Sequence, residues 1–125
     1  MAKLTAKKVE NLARDIHTWL VNHEMWIDIN IYFNGKCWST SSELDTEFCY
    51  NENRYFEYEA DPKCYFEYVA NPHILSMSFE GILYDVLNGY THRWTKLETE
   101  FKAIFEKYGL YFELGNAWNL TCFEN

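Results

Sequence analysis

The sequence predicts a single α+β domain over residues 1–125, in which an antiparallel β-sheet built from hairpins carries its helices on one face. Three observations predict this class. Apolar residues first recur at the three- to four-residue spacing of a helix and then switch to the two-residue spacing of strands. Hairpin-type turn sequences separate the strand-like runs. Two further helical stripes follow one another directly, which favours hairpins over the crossovers of a parallel sheet.

The composition is typical of a packed domain. Hydrophobic residues make up 48% of the chain and aromatic residues 19%, well above the level of disordered sequences, so we expect a core. A chain of 125 residues buries about two-thirds of its unfolded surface on folding, and therefore needs neither disulfides nor a structural metal.

The first helix is predicted from Leu4 to about His23, with Thr5 as the N-cap because its hydroxyl can accept a bond from a free N–H of the first turn. This segment is net basic, in a chain that is acidic overall. Its apolar stripe consists of Val9, Leu12, Ala13, Ile16, Trp19 and Leu20. Such a stripe indicates a helix that packs on a core.

A first hairpin follows. From Met25 to Phe33 the sequence alternates, with isoleucines on one face, which predicts a strand. Asn34-Gly35 is a strong turn signal because both residues accept positive φ, and Lys36 to Thr40 is the predicted partner strand. Residues 41–53 are polar and acidic and fit either a loop or an irregular strand.

A second hairpin is predicted from the strand-like runs Tyr55–Ala60 and Cys64–Ala70. Asp61-Pro62-Lys63 lies between them, and proline presets φ for a turn. The two runs would place a row of acidic side chains on one exposed face of the sheet.

The last third of the chain contains the remaining elements. A short strand is predicted over Ile74–Ser78, and a helix that begins near Ser78 and ends at Gly89. Another helix is predicted from Thr91 to Gly109, with an apolar stripe. The final hairpin, residues 110–123, is expected to turn at Gly115-Asn116. It leaves an edge strand available for pairing with a second copy, as in a homodimer.

The cysteines and the N-terminal sequence favour a protein of the reducing cytoplasm. The N-terminus has no apolar stretch suited to a signal peptide, and no apolar run reaches the ~18–20 residues of a membrane span. The four cysteines stand outside the close spacing of zinc ligands, so we expect reduced core thiols. They are Cys37, Cys49, Cys64 and Cys122.

No residue pattern predicts an enzyme. The sequence lacks Gly-x-Ser-x-Gly and any glycine-rich phosphate loop. Four histidines are dispersed, and no pair has the four-residue spacing of metal ligands on a helix. They are His17, His23, His73 and His92. The sequence therefore predicts no catalytic residue, cofactor or metal.

Acidic charge is concentrated in the middle of the chain. From Glu43 to Glu67 there are eight acidic and two basic residues, which account for six of the eight net negative charges. In a strand, Glu57 and Glu59 share a side and stand about 6.8 Å apart, since the rise is ~3.4 Å per residue. The predicted partner-binding residues are Glu43, Asp45, Glu47, Glu52, Tyr55, Glu57, Glu59, Asp61, Tyr65 and Glu67.

This acidic surface predicts a basic protein as the partner. Nucleic acid itself is excluded as a direct partner, because duplex binding needs Lys and Arg to neutralise phosphates. The acid spacing is comparable to that of phosphates on one strand, so the surface would fit a DNA-binding channel and attract it electrostatically. The other interpretation is that these acids form only the solvated face of an amphipathic hairpin.

The chain resembles the small acidic anti-defence proteins of phages and mobile elements of Gram-positive bacteria, of which anti-CRISPR proteins are the best-known group. The resemblance lies in its length, its lack of catalytic motifs and its acidic, strand-rich patch. It implies a non-enzymatic inhibitor, a DNA mimic that occupies the DNA-binding channel of a CRISPR nuclease.

Two alternatives remain open. An immunity protein against a basic nuclease toxin would use the same acids and tyrosines. A nucleotide-sequestering protein would stack bases on Trp26, Tyr32 and Trp38, and would need Arg54, Arg93 or a helix N-terminus to reach the phosphates.

Overall fold

A computed structural model describes residues 4–66, 69–89 and 95–125 of the chain. Within these residues a six-stranded antiparallel sheet has the strand order β3-β2-β1-β4-β6-β5. The helices are α1 (Ala6–Asn22), α2 (Ile82–Leu87) and α3 (Thr95–Glu106). The strands are β1 (Ile29–Phe33), β2 (Lys36–Ser39), β3 (Phe56–Glu59), β4 (Leu75–Phe79), β5 (Leu110–Asn116) and β6 (Asn119–Glu124). The predicted fold class is confirmed.

The three α-helices cover one face of the sheet, which we call the helix face. Leu12 and Ile16 of α1 and Phe101 of α3 are fully buried there against Ile31 and Met77 of the central strands. Burial of such side chains contributes about 1.5–3 kcal/mol each, so this layer dominates stability.

The opposite face, which we call the groove face, carries polar and aromatic side chains instead. Tyr32 and Cys37 form a small separate cluster with Phe66, which lies in the segment between β3 and β4. Ser76 and Thr121 are also buried on this side, where Thr121 accepts a bond from the Ala70 backbone at 3.2 Å. The segment between β3 and β4 thus covers part of this face. Among the described residues, no α-helix packs there.

The first helix and first hairpin are confirmed. The Thr5 hydroxyl accepts from the Lys8 N–H at 3.2 Å, as an N-cap does. At the hairpin turn Asn34 and Gly35 have φ of 50° and 75°. The strand is shorter than predicted, because Asp28 takes φ of 55° and breaks the extended path. Trp26 therefore turns into the main core.

The prediction of a second hairpin is wrong. Pro62–Cys64 forms a 3₁₀-helix, which the Asp61 carboxylate caps by accepting from the Lys63 N–H at 2.9 Å. The chain consequently leaves the sheet, and the described residues of the segment 64–70 contain no strand. Burial of Phe66 against Tyr32, with ring centroids 5.3 Å apart, favours this path over pairing with β3. β3 is therefore an edge strand.

Two boundaries near the C-terminal half also differ from prediction. Ser78 does not begin a helix, because it lies within β4 and Gly81 precedes α2. The last hairpin turns at Ala117-Trp118 rather than at Gly115-Asn116, which belongs to β5. The start predicted for the third helix, Thr91, lies outside the described residues. Gly89 and Gly109 follow their helices with positive φ, as C-terminal caps require.

β5 lies at the other edge of the sheet, where the sequence predicted a free edge strand. None of the helices in the described residues has the length and apolar character needed to cross a membrane. Cys37, Cys49 and Cys122 are buried thiols as predicted, whereas Cys64 is exposed because the 3₁₀-helix places it at the surface.

Candidate binding groove

The predicted acidic pair on β3 lies on the helix face, at its edge, and not on the opposite face. The register pairs Trp38 with Glu57 and Lys36 with Glu59, so all four side chains point to the helix side. The Trp38 indole N–H donates to Glu57 at 2.7 Å, and the Lys36 ammonium lies 3.7 Å from the same carboxylate. One carboxylate oxygen of Glu57 therefore has internal partners, while its side chain remains 51% exposed.

The two tyrosines predicted to flank this row lie on opposite sides of the sheet. Tyr55 stacks on Trp38 with ring centroids 3.9 Å apart and meets His17 edge-on at 5.3 Å, so it packs against the core. Tyr65 is 52% exposed and lies beside Tyr32 on the groove face. Glu67, predicted on the partner strand, lies outside the described residues.

The acidic segment 41–53 is an ordered loop with one bridge, between Ser41 and Phe48. The Ser42 hydroxyl accepts from the backbone N–H groups of Thr46 and Glu47, both at 3.0 Å. The Cys49 N–H donates to the Thr40 carbonyl at 2.8 Å, which ties the end of the loop to β2. These bonds hold the loop beside the groove face.

The other predicted acids have different environments. Glu52 forms an ion pair with Arg54 at 3.2 Å, and Asp61 caps the 3₁₀-helix. Glu47 and Glu59 are exposed, and neither lines the groove that is described below. Of the predicted residues that the structure describes, Glu43, Asp45 and Tyr65 line it.

Two adjoining cavities of about 310 and 240 Å³ form this groove. Its floor is part of the sheet, where the Asn30 amide donates to the Ser78 hydroxyl at 3.0 Å across β1 and β4. Loop 41–48 forms one wall, and Trp118 from the last hairpin lines both cavities. The larger cavity lies at the lower end of the ~300–1,000 Å³ range of ligand pockets.

Four aromatic rings follow one another along the larger cavity. The ring centroids of Tyr65 and Tyr32 are 5.3 Å apart, those of Tyr32 and Phe66 5.3 Å, and those of Phe66 and Trp118 5.9 Å. Tyr58 from β3 also lines this cavity. Trp118 is 38% exposed, so its ring is accessible to a ligand.

Four carboxylates lie at the groove, and no Lys or Arg is among its described lining residues. Asp28 accepts from the Tyr50 hydroxyl at 2.6 Å, and Asp45 from the Ser41 hydroxyl at 3.0 Å. They are joined by Glu43 and Glu80, whose carboxylates have no hydrogen bond or ion pair with a described side chain. All four therefore lack a described counter-ion.

Four weakly acidic groups at or beside this face, Cys37, Tyr32, Tyr58 and Tyr50, stay neutral near pH 7. Burial raises the pKa of the Cys37 thiol to about 12 and also raises the pKa of Tyr32 and Tyr58. The hydrogen bond to Asp28 raises the pKa of Tyr50 to about 12. The groove thus offers aromatic rings, hydrogen-bond acceptors and negative charge.

Several groove residues were not predicted. Asp28 and Asn30 share the polar face of the alternating first strand with Tyr32, which was predicted as a base-stacking residue, and that alternation was a usable signal. Trp118 and Glu80 come from distant parts of the chain, and only the strand order brings them to the same site. The proposed stacking residues Trp26 and Trp38 are instead buried in the core.

Within the described residues, no group of three or more His, Cys, Asp or Glu side chains is arranged to hold a metal ion. Comparison with protein-family models, with curated proteins and with solved structures found no match to this chain.

Proposed function

We propose that the protein is a non-enzymatic inhibitor that binds a basic nucleic-acid-binding effector through the groove face, and that this effector is a CRISPR nuclease. The observation that carries the proposal is the set of four carboxylates at the groove without a described counter-ion. Unpaired negative charge attracts a basic surface and accelerates association in a salt-dependent way. The choice of a CRISPR nuclease rests on the resemblance in size, charge and lack of catalytic motifs.

Basic residues are segregated from this surface. On the helix face Glu10 lies within 3.5 Å of Lys7, Arg14 and Lys36, and Asp15 lies 2.9 Å from Lys107. These bases therefore neutralise Glu10 and Asp15, whereas the four groove carboxylates have no described base beside them.

A nucleotide fits the groove poorly, because four carboxylates would repel its phosphates. Arg54, which a nucleotide-sequestering function would need, is engaged with Glu52 and does not line the groove. A basic nuclease toxin presents the same complementary charge as a CRISPR nuclease and belongs in the test.

The test is target-DNA cleavage by a panel of guide-loaded CRISPR nucleases and basic nuclease toxins, with and without this protein, at low and high salt. We expect stoichiometric inhibition of a CRISPR nuclease that weakens as salt rises. Glu43→Lys combined with Glu80→Lys should abolish the inhibition, because it reverses two charges of the groove. The variant should still fold, because neither side chain forms a described contact that holds the fold together.

The matched control is Glu98→Lys combined with Glu106→Lys, which makes the same change in net charge on α3. This variant should inhibit like the wild type. Equal loss of inhibition in both variants would mean that total charge matters and not the groove. If the protein inhibited only a toxin, the toxin would replace the CRISPR nuclease as the proposed target. If it inhibited no member of either class, the proposal would be contradicted.

A further inference from the structure

The groove combines two features that recognise the same chemical group. Aromatic faces attract cations through their π-electrons, and a planar guanidinium also stacks on them. Carboxylates accept charge-assisted hydrogen bonds from the same group. In the larger cavity, Tyr65 and Trp118 offer exposed rings while Glu43 and Asp45 supply the charge.

Hydrogen-bonding groups at the floor fit a donor-rich ligand. Asn30 uses its amide N–H group on Ser78, which leaves its carbonyl oxygen with one weak partner, the Cys37 thiol at 3.8 Å. Asp45 uses one carboxylate oxygen on Ser41. A guanidinium has five N–H donors and no acceptor, so it matches a site rich in acceptors.

We propose that the groove receives the guanidinium group of an arginine side chain from the partner protein. This inference rests on the proposed function and names the group that the groove recognises. Arginine is enriched at the energetic centres of interfaces, and basic nucleic-acid channels are lined with it. Exposed Leu44 and Phe48 beside the groove would surround the buried arginine with apolar contacts.

The occupant is a protein side chain and not a free metabolite because the groove is open and two exposed apolar side chains lie beside it. Leu44 is 82% exposed and Phe48 is 49% exposed. Apolar side chains around a charged centre exclude water from it when a second protein covers them.

The test uses the isolated full chain and two small probes, N-acetyl-arginine amide and its neutral analogue N-acetyl-citrulline amide. Backbone and indole N–H signals are followed by NMR during titration. We expect saturable chemical-shift changes with the arginine probe at Asn30, Ser78 and Trp118. The dissociation constant of the citrulline probe should be at least about tenfold higher.

Trp118→Ala should weaken arginine binding by about tenfold, since it removes an exposed ring of the groove. Tyr111→Ala is the matched control, because Tyr111 is similarly exposed at 41% but lies on edge strand β5 and does not line the groove. It should leave binding unchanged. Equal shifts with both probes, shifts outside the groove, or equal loss in both variants would overturn the inference.

This result is separable from the cleavage test. Absence of arginine binding together with groove-dependent inhibition of a nuclease would remove the arginine inference and leave the proposed function in place. Arginine binding without inhibition of any nuclease would remove the proposed function and leave the groove as a guanidinium site.

Discussion

The two faces of the sheet use acidic residues in different ways. On the helix face, burial alone would raise the pKa of Asp15, but hydrogen bonds from Tyr108 and Lys107 outweigh it and lower that pKa. The hydrogen bond from Lys36 likewise lowers the pKa of Glu10. The acids at the groove have no such partners among the described bases. Glu10 and Asp15 thus join elements of the fold, whereas Glu43 and Glu80 at the groove are available to another molecule.

The largest expected difference between the faces is in stability. Phe101→Ala should lower the free energy of unfolding by about 3–5 kcal/mol, because the ring is fully buried and meets Phe105 and Phe112 within 5.4 Å. Trp118→Ala should cost less than about 1 kcal/mol, since the ring is partly exposed. Urea unfolding measures both values, and similar losses would show that the groove face is also core.

A smaller effect separates the acids of the two faces. Glu57→Lys should destabilise by about 1–2 kcal/mol, because it removes the acceptor of the Trp38 indole N–H and places a second base beside Lys36. Glu80→Lys should change stability by less than about 0.5 kcal/mol. Glu57→Gln keeps an acceptor and should remain close to the wild type. A stable Glu57→Lys protein would mean that the Trp38 contact contributes little.

Acid should weaken the fold through one histidine on each face, buried His17 and half-buried His73. Burial lowers the pKa of His17, which contacts Trp26 and Tyr55, and the pKa of His73, which bonds Ser76 at 2.9 Å and faces Asp61 and Lys63. Both folded-state pKa values lie below the unfolded value of about 6.5, so their contribution to stability is complete above that pH and is lost as the pH falls from there through the folded-state pKa.

The check is the thermal unfolding midpoint between about pH 7.5 and 5.5. His17→Leu should reduce the decrease of the unfolding midpoint with falling pH. The Arg54 carbonyl, which also contacts His17, would keep the Trp26 indole N–H as a donor at 3.2 Å. An unchanged slope in this variant would assign the pH dependence to other groups.

The smallest effect concerns thiol accessibility. Cys64 is exposed, whereas Cys37, Cys49 and Cys122 are buried. Burial also raises the pKa of Cys122 to about 12, which keeps its thiol protonated and unreactive. Iodoacetamide should therefore add one group to the native protein and four after unfolding, as counted by mass spectrometry. Rapid modification of a second native cysteine would contradict the packing described for the core.

Local patterns predicted the elements whose cause is local. The apolar stripe and Thr5 cap predicted α1, and Asn34-Gly35 predicted the first hairpin, since helix spacing, capping and turn geometry depend on neighbouring residues. The second hairpin failed because its outcome depended on a distant contact. Phe66 packs on Tyr32, and that burial outweighs the strand-like composition of the segment.

The candidate site was predictable only in part. The acidic segment was visible in the sequence, and Glu43, Asp45 and Tyr65 do line the groove. The orientation of Glu57 and Glu59 was not predictable, because it depends on which face the helices cover. Nor could sequence spacing show that Glu80 and Trp118 meet at the same groove, which follows from the pairing of β4 with β6.

The central claim is that negative potential is concentrated on the groove face. It is tested most directly by NMR relaxation of backbone amides in the presence of a cationic or an anionic nitroxide of the same size. At low salt we expect the ratio of relaxation enhancement by the cationic probe to that by the anionic probe to be highest at amides near Glu43, Glu80 and Trp118. Along α1, near Lys7 and Lys8, the anionic probe should give the larger enhancement. Similar ratios on both faces, or the larger ratio on α1, would contradict the account.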